Sequence, residues 1–428
     1  MEINNILYEK QYGFRKKNST IFSLIEITER IKESIDNKKF GCGIFIDLSK
    51  AFDTVNHDIL LKKLDHYGIR GIALNWFESY LKDRLQYVYL NGESSEQKLI
   101  TCGVPQGSVL GPLLFLIYIN DLPNISKILD FYLFADDTNI YYEDDSLQKL
   151  ESTINKELRK LHLWLSVNRL SLNIDKTNFV IFHPFNKPLK YNVTIKIHKK
   201  AIREKNSIKY LGILIDSTLS WKDHAHYISN KLSRTVGIMY KLRPFVNTKI
   251  MNNIYYALFY SHVVYAIEVW GSTFDINLNK IVTLQKRVVR LMTFKDQFPE
   301  IPGPLFPSAP LFKELELLKV KEIFILQTAK FIHKCINVDI ISNFDHWFKF
   351  NYEAHAHLTR SNYSYSTLDN TNNLFISFGR TTNYGLKLIK VSGPKMWNSL
   401  PLDIRIKKSL SNFKSSLKKY LLETSSLD

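Results

Sequence analysis

Two adjacent carboxylates, Asp136 and Asp137, close an apolar run over residues 128–134 and open a second over 138–142. Aromatic and β-branched residues on both sides read as strand–turn–strand. Both acids then fall in or beside a tight hairpin turn. Like charges so close repel unless a cation neutralises them. Hard oxygen donors suit Mg²⁺, which keeps part of its water shell and takes further ligands from phosphates. On its own an Asp-Asp pair is also the pattern of a solvated acidic turn. A third acid, Asp47, ends the short apolar run 43–46, and a neighbouring strand ending there would bring it alongside the pair.

The elements that must position these acids follow from periodicity. A basic stretch, 11–20, with a turn-prone glycine precedes a helix whose Ile21, Leu24, Ile25, Ile27 and Ile31 share a face, with Ser19 or Thr20 as its cap. Arg15, Lys16 and Lys17 read either as a phosphate clamp or as a solvated loop. Asn56-His57-Asp58 opens an amphipathic helix in which His57 caps or packs. A helix is expected over 71–84 and a strand over 85–90. Asn91-Gly92 signals a hairpin turn, with a partner strand from Lys98. Residues 103–112 hold three Gly and two Pro, a shaped loop that lets backbone approach a ligand. The run 113–119 reads as a buried helix.

Leu147, Leu150, Ile154, Leu158, Leu161 and Leu165 give the clearest amphipathic helix. Strands are expected at 178–182, around 193–197, and over 208–215. Residues 187–209 carry eight Lys or Arg against one Glu, which fits a hairpin that tracks phosphates or a solvated one. From about residue 222, helical periods run through 223–242, 248–262, 277–293 and 312–336. The tail after 338 is polar and aromatic.

The chain has 428 residues and a net charge of +17, which favours an anionic partner, nucleic acid first. No apolar run approaches the ~18 residues that a membrane span needs, so no membrane partner is expected. The N-terminus lacks the layout of a signal peptide. Cys42, Cys102 and Cys335 are odd in number and widely spaced, with neither metal-site nor disulfide pattern, which points to a reducing compartment.

Seven pieces stand in order across residues 11–215: QYGFRKKNST, FIDLSKAFDTVNHDILLKKL, YGIRGIALNWFESYLKDRLQYV, GVPQGSVLGPLLFLIYINDL, LFADDTNIY, SLNIDKTNFVIF and IKYLGILID. YSHVVYAIEVWG, LQKRVVRLM and GPKMWNSLP follow. In this order they resemble the reverse transcriptases of non-LTR (LINE-type, jockey-like) retrotransposons. The resemblance implies an α+β right-hand polymerase fold: partial fingers and an antiparallel palm in 1–220, a helical thumb-like region in 221–298, a proline-rich linker in 299–310, and the C-terminal region of the open reading frame in 311–428.

By position, the resemblance implies that Asp47 and Asp136 hold two Mg²⁺ ions, with Asp137 beside them and the Leu48 carbonyl as a further ligand. Phe52 would be the aromatic gate against a ribose 2′-OH. Gln106 and Gly107 would support the incoming deoxynucleotide, Lys176 would be catalytic as general acid to the departing pyrophosphate, and Arg15 would hold the triphosphate. Tyr210-Leu211-Gly212 matches the primer grip. The implied partners are an RNA template, a DNA primer and their hybrid, in the cytoplasm as a ribonucleoprotein or in the nucleus.

The endonuclease that such elements carry, and the first fingers strands, are expected to be missing, since ten residues precede Gln11. The expected activity is RNA-directed DNA synthesis; the alternative is a non-catalytic nucleic-acid-binding remnant. An aspartic hydrolase is disfavoured, because no Asp-Thr/Ser-Gly pair is present.

Overall fold

The computed structural model describes residues 6–187, 189–297, 307–337, 343–344, 346–354 and 372–424. They form two units: Met1–Ser23 with Lys38–Asn206, and Leu24–Asn37 with Ser207–Asp428. Helix α1 (Thr20–Asp36) starts in the first and continues in the second.

In the first unit the order is β1 (Phe40–Ile46), α2 (His57–His66), α3 (Ile72–Leu81), the short strands β2 (Arg84–Gln86), β3 (Tyr89–Leu90), β4 (Glu93–Ser94) and β5 (Lys98–Ile100), α4 (Leu110–Ile119), β6 (Asp130–Phe134), β7 (Asp137–Asp144), α5 (Leu147–Val167), β8 (Asn178–Phe182), β9 (Lys196–Ile197), β10 (Lys200–Ala201) and β11 (Arg203–Glu204). Five of these strands make one sheet in the order β11-β8-β1-β7-β6. All its pairs are antiparallel except β11 with β8.

β1 is central because its sequence suits burial on both faces; all seven residues are buried. Cys42, Ile44 and Ile46 join a core with Leu114 and Phe115 of α4 and with Leu150, Ile154, Leu158 and Leu161 of α5. Side chains alternate along a strand, so Gly41, Gly43, Phe45 and then Asp47 belong to the other face. There a Cβ at Gly41 would strike the Tyr141 ring and one at Gly43 the Phe182 ring.

The expected strand over 85–90 is interrupted. β2 pairs with β5, β3 pairs with β4, and at the break Val88 exchanges hydrogen bonds with Ser95. Asn91 (φ 52°) and Gly92 (φ 91°) make the two-residue turn that their types favour. In the basic stretch Lys196–Ile197 pairs with Lys200–Ala201, Arg203–Glu204 runs parallel to β8, and a further strand begins at Ser207. Val193, Ile195, Ile197 and Ile202 enter the core, while Lys196, Lys199, Lys200 and Arg203 stay exposed.

The second unit contains β12 (Ser207–Tyr210), β13 (Ile213–Asp216), α6 (Lys222–Leu242), α7 (Thr248–Ile254), α8 (Ser261–Val264), α9 (Ile267–Trp270), α10 (Asp275–Gln297), α11 (Ser308–Glu314) and α12 (Val320–Ile336). The single strand expected over 208–215 is instead a hairpin. Leu211 (φ 41°) and Gly212 (φ 87°) both take the left-handed region and reverse the chain. A leucine rarely does so, which is why the apolar run hides the turn. Asp216 then anchors the start of α6, accepting from the backbone N–H groups of Thr218, Ser220 and Trp221.

The helical period over 312–336 breaks at 315–319, where Glu316 has φ 50°. Of the expected proline-rich linker, residues 299–306 lie outside the described residues. Pro310 sits in the first turn of α11, where its missing N–H is harmless.

A polar stripe on α1 holds the C-terminal region. Asp36 accepts from the N–H groups of Arg380 (3.0 Å) and Thr381 (2.7 Å) and from the Thr381 hydroxyl (2.7 Å). Glu29 accepts from the Ile389 N–H, Lys32 donates to the Lys387 carbonyl, and Glu33 pairs with Lys390. Glu29, Lys32 and Asp36 are only 1%, 3% and 7% exposed, so these are interior polar contacts made in low dielectric.

Candidate active site

Strand register assembles the acids. Ile46 pairs with Thr138, the last pair of β1 with β7, so Asp47 and Asp137 follow at the same edge. Phe134 pairs with Asp137 across the β6–β7 hairpin, leaving Ala135 and Asp136 as its two-residue turn. Ala135 takes φ 56°. Three carboxylates 90 positions apart at the extremes (137 − 47,) thus meet at one end of the sheet. Among the described residues none of them forms an ion pair with a basic side chain.

Their electrostatics show the crowding. Burial pushes the Asp136 carboxyl above its ordinary range, and the Asp47 charge adds to this. Asp137 is pushed up to about 6 by burial and then by the charges of Asp136 and Asp47. Asp137 also faces solvent, so water screens part of that repulsion. A divalent cation would reverse the sign of the local field. The donor set, all carboxylate oxygen, fits Mg²⁺ by its chemistry. Among the described residues no group of three His, Cys, Asp or Glu side chains is arranged to hold a metal ion by itself; Mg²⁺ also draws ligands from phosphate and water.

The loop after α5 clamps Asp47. The Asp47 N–H donates to the Thr177 hydroxyl, which donates in turn to the Asn173 carbonyl, and the Asn173 N–H donates to the Asp47 carbonyl. Leu48 lies opposite Leu172 in an isolated bridge, flanked by backbone bonds at 47/173 and 49/171. In that pattern the Leu48 carbonyl points away from the partner segment. Lys176, in the same loop, is exposed, and its N–H is held by the Asn173 side chain.

Phe52 is half-buried and stacks on Phe115 with ring centroids 4.4 Å apart. The edge of Phe14, itself 60% exposed, approaches it at 6.3 Å. The glycine-rich loop locks onto the turn after Phe52: Gly103 N–H donates to Val55 O and Val104 N–H to Phe52 O. Gly103 has φ 92°, and a Cβ there would meet the Asp53 carbonyl. The Gln106 amide donates to the Asp53 carboxylate at 2.8 Å, and Gly107 has φ 79° with open space beside it. Asp53, Arg84, Gln86, Cys102 and Gln106 line a cavity of about 660 Å³.

Arg15 braces its own segment. Its Nη1 donates to the carbonyls of Tyr8 (2.9 Å) and Gln11 (3.2 Å), which ties down its own segment. His57 packs as expected, buried with Nε2 at 2.8 Å from the Gly103 carbonyl. Gln11, Phe14, Asp53 and Thr177 were not singled out by sequence pattern, since hydrogen-bonding partners distant in the chain leave no local period.

The profile of the family described as "Reverse transcriptase (RNA-dependent DNA polymerase)" matches residues 1–215. The chain belongs to this family. A probable RNA-directed DNA polymerase from transposon BS of Drosophila melanogaster is 30% identical over 317 residues, covering 68% of this chain and 33% of the relative. The RNA-directed DNA polymerase from mobile element jockey of the same fly is 28% identical, covering 68% of this chain and 32% of the relative.

These relatives place the chain among the LINE-type, non-LTR reverse transcriptases. It spans about a third of the length of the curated relatives it matches. Among solved structures, the telomerase of Candida albicans in complex with a fragment of telomeric RNA aligns at 12% identity over 72% of this chain and 51% of that chain, with a TM-score of 0.36, too low to bear on the fold.

Proposed function

We propose that this reverse transcriptase chain extends a DNA primer on an RNA template, using deoxynucleoside triphosphates and Mg²⁺. The observation that carries this is the meeting of Asp47, Asp136 and Asp137 at one sheet edge with no basic partner among the described residues. Asp47, Asp136 and Asp137 would hold two Mg²⁺ ions, with the Leu48 carbonyl as a further donor. Bound there, such ions activate the primer 3′-oxygen and stabilise the departing pyrophosphate.

The chain's own residues supply the rest. The Thr177 hydroxyl keeps Asp47 in register with the loop that bears Lys176, whose ammonium offers a cation to the leaving group. Gln106 and Gly107 present an amide and open backbone to the incoming nucleotide, and Asp53 orients that amide. Phe52 forms the wall beside the sugar. Primer extension on poly(rA)·oligo(dT) tests the proposal; hybrid binding without extension would favour the non-catalytic alternative.

Phe52→Val should relax sugar selection. A ring rejects the 2′-hydroxyl by steric clash, and such pocket terms are typically worth about ten- to a hundredfold. The ratio of ribo- to deoxynucleotide incorporation is expected to rise by about tenfold or more. An unchanged ratio would leave Phe52 as packing for Phe115 alone.

Binding to an RNA–DNA hybrid should weaken steeply with salt and depend little on sequence. The charge of +17 and the exposed Lys196, Lys199, Lys200 and Arg203 motivate this. Counter-ion release gives a slope of log K against log salt of about −0.9 per duplex phosphate neutralised, and A-like duplexes are read by shape and backbone. Fluorescence anisotropy between about 50 and 200 mM salt measures it; a flat response would refute it.

A further inference from the structure

We infer that Gln11 is a positioning residue for the turn that carries Asp136, an inference that rests on the polymerase reading above. Gln11 is 2% exposed. Its Oε1 accepts from two backbone N–H groups at once, those of Gly13 (2.9 Å) and Ala135 (3.0 Å). The backbone on either side of Gln11 runs as a short parallel bridge beside Leu133: Tyr12 N–H donates to Leu133 O at 2.8 Å, and Leu133 N–H donates to Lys10 O at 2.9 Å. The N-terminal segment is therefore stitched to β6 just before the turn, and the Gln11 side chain reaches the turn itself.

Three features mark this as a brace for the turn rather than as filler. Ala135 is 4% exposed and holds φ 56°, a left-handed conformation that a residue with a Cβ rarely adopts unaided. Its N–H would be an orphaned buried donor without Oε1, and such donors are rarely tolerated. Next, Gly13 lies so close to the turn that a Cβ would overlap the Ala135 nitrogen and lie 2.9 Å from the Phe134 carbonyl carbon. Finally, the Gln11 Nε2 is buried with no partner among the described residues. A Leu or Met would fill the same volume without that penalty, so the acceptor oxygen is what the site uses.

Asp136 is the next residue after Ala135. When the brace is lost, the turn relaxes toward ordinary φ values and the carboxylate moves relative to Asp47. Displacements of about 1 Å at a reacting centre cost about a hundredfold, and partners that orient a ligand are typically worth 10–100-fold in metal affinity.

The test uses the full chain with Gln11→Met, which keeps reach but removes the acceptor, Gln11→Glu, which keeps an acceptor, and Gly13→Ala. Amide hydrogen exchange is read residue by residue in metal-free protein, alongside Mg²⁺ half-saturation of primer extension and binding to an RNA–DNA hybrid. In Gln11→Met, exchange at Ala135 should quicken at least about tenfold while α5 amides stay protected. The Mg²⁺ half-saturation should rise about 10–100-fold, with hybrid binding unchanged. Gln11→Glu should retain protection at Ala135, and Gly13→Ala should lose it.

Unchanged exchange at Ala135 in Gln11→Met would overturn the inference. So would acceleration spread evenly over the sheet, which would make Gln11 a general stabiliser. If no form of the chain extends a primer, the polymerase reading fails, and the exchange measurement still decides the brace.

Discussion

Asp136→Asn is expected to slow primer extension by about 10³-fold or more, the scale of losing a group that acts on the reacting atoms, with hybrid binding almost unchanged. The same substitution should stabilise the metal-free protein. Asp137 titrates near 6 in the fold, against about 3.9 for a free side chain. Its contribution favours the fold below the lower value and is lost as pH rises through the upper one. At pH 7 the ionised acids therefore press against one another, and neutralising Asp136 removes one source of that strain. Opposite signs for activity and metal-free stability distinguish a metal site from ordinary structural acids, whose loss lowers both. The rise in melting temperature on adding Mg²⁺ should also shrink in the variant. Equal extension rates for Asp136→Asn and the unaltered chain would remove the metal assignment.

Asp36→Ala is expected to destabilise the second unit by about 3 kcal/mol. The carboxylate accepts three hydrogen bonds, from the Arg380 and Thr381 amides and the Thr381 hydroxyl. Bonds to a charged acceptor are each worth about 1.5–3 kcal/mol, and water at the partly exposed Arg380 and Thr381 makes good only part of that loss. Gly385 packs directly against the same carboxylate, so the loss is compounded by a void. A urea melt followed at Trp397, which is buried in the C-terminal region, should show an earlier transition. Asp36→Asn, which keeps one acceptor oxygen, should lose less. A midpoint unchanged for Asp36→Ala would mean that the stripe on α1 contributes nothing to holding the C-terminal region.

Much of the acidic edge of the sheet was legible because its pattern is local. The Phe134–Asp137 hairpin, the strand ending at Asp47 and the amphipathic α5 each follow from runs or periods of a few residues. Where the reading fell short, the determining contact was distant or polar. Glu29, Lys32 and Asp36 look like the solvent face of α1 by hydrophobic period, yet they are buried under a segment about 350 positions away. Periodicity reports where apolar side chains go and is silent on a polar stripe that meets polar partners. The apolar run through Leu211 hid a reversal, because nothing in a leucine announces a left-handed backbone. The contacts of Arg15 Nη1 with the carbonyls of Tyr8 and Gln11 likewise leave no trace in the charge pattern. Gln11 gave no signal beyond its place before Gly13, since its meaning depends on Ala135, 124 positions on.

The most direct test of the central claim is extension of labelled oligo(dT) on poly(rA) by the purified chain, run with Mg²⁺, with EDTA, and with Asp47→Asn. Asp47 is the acid farthest in sequence from the Asp-Asp pair, and it joins them only through the β1–β7 register. Extension that requires Mg²⁺ and disappears in Asp47→Asn is the expected result. Extension that persists in EDTA or survives Asp47→Asn, or a folded chain that binds the hybrid and adds no nucleotide, would contradict the assignment of these three carboxylates.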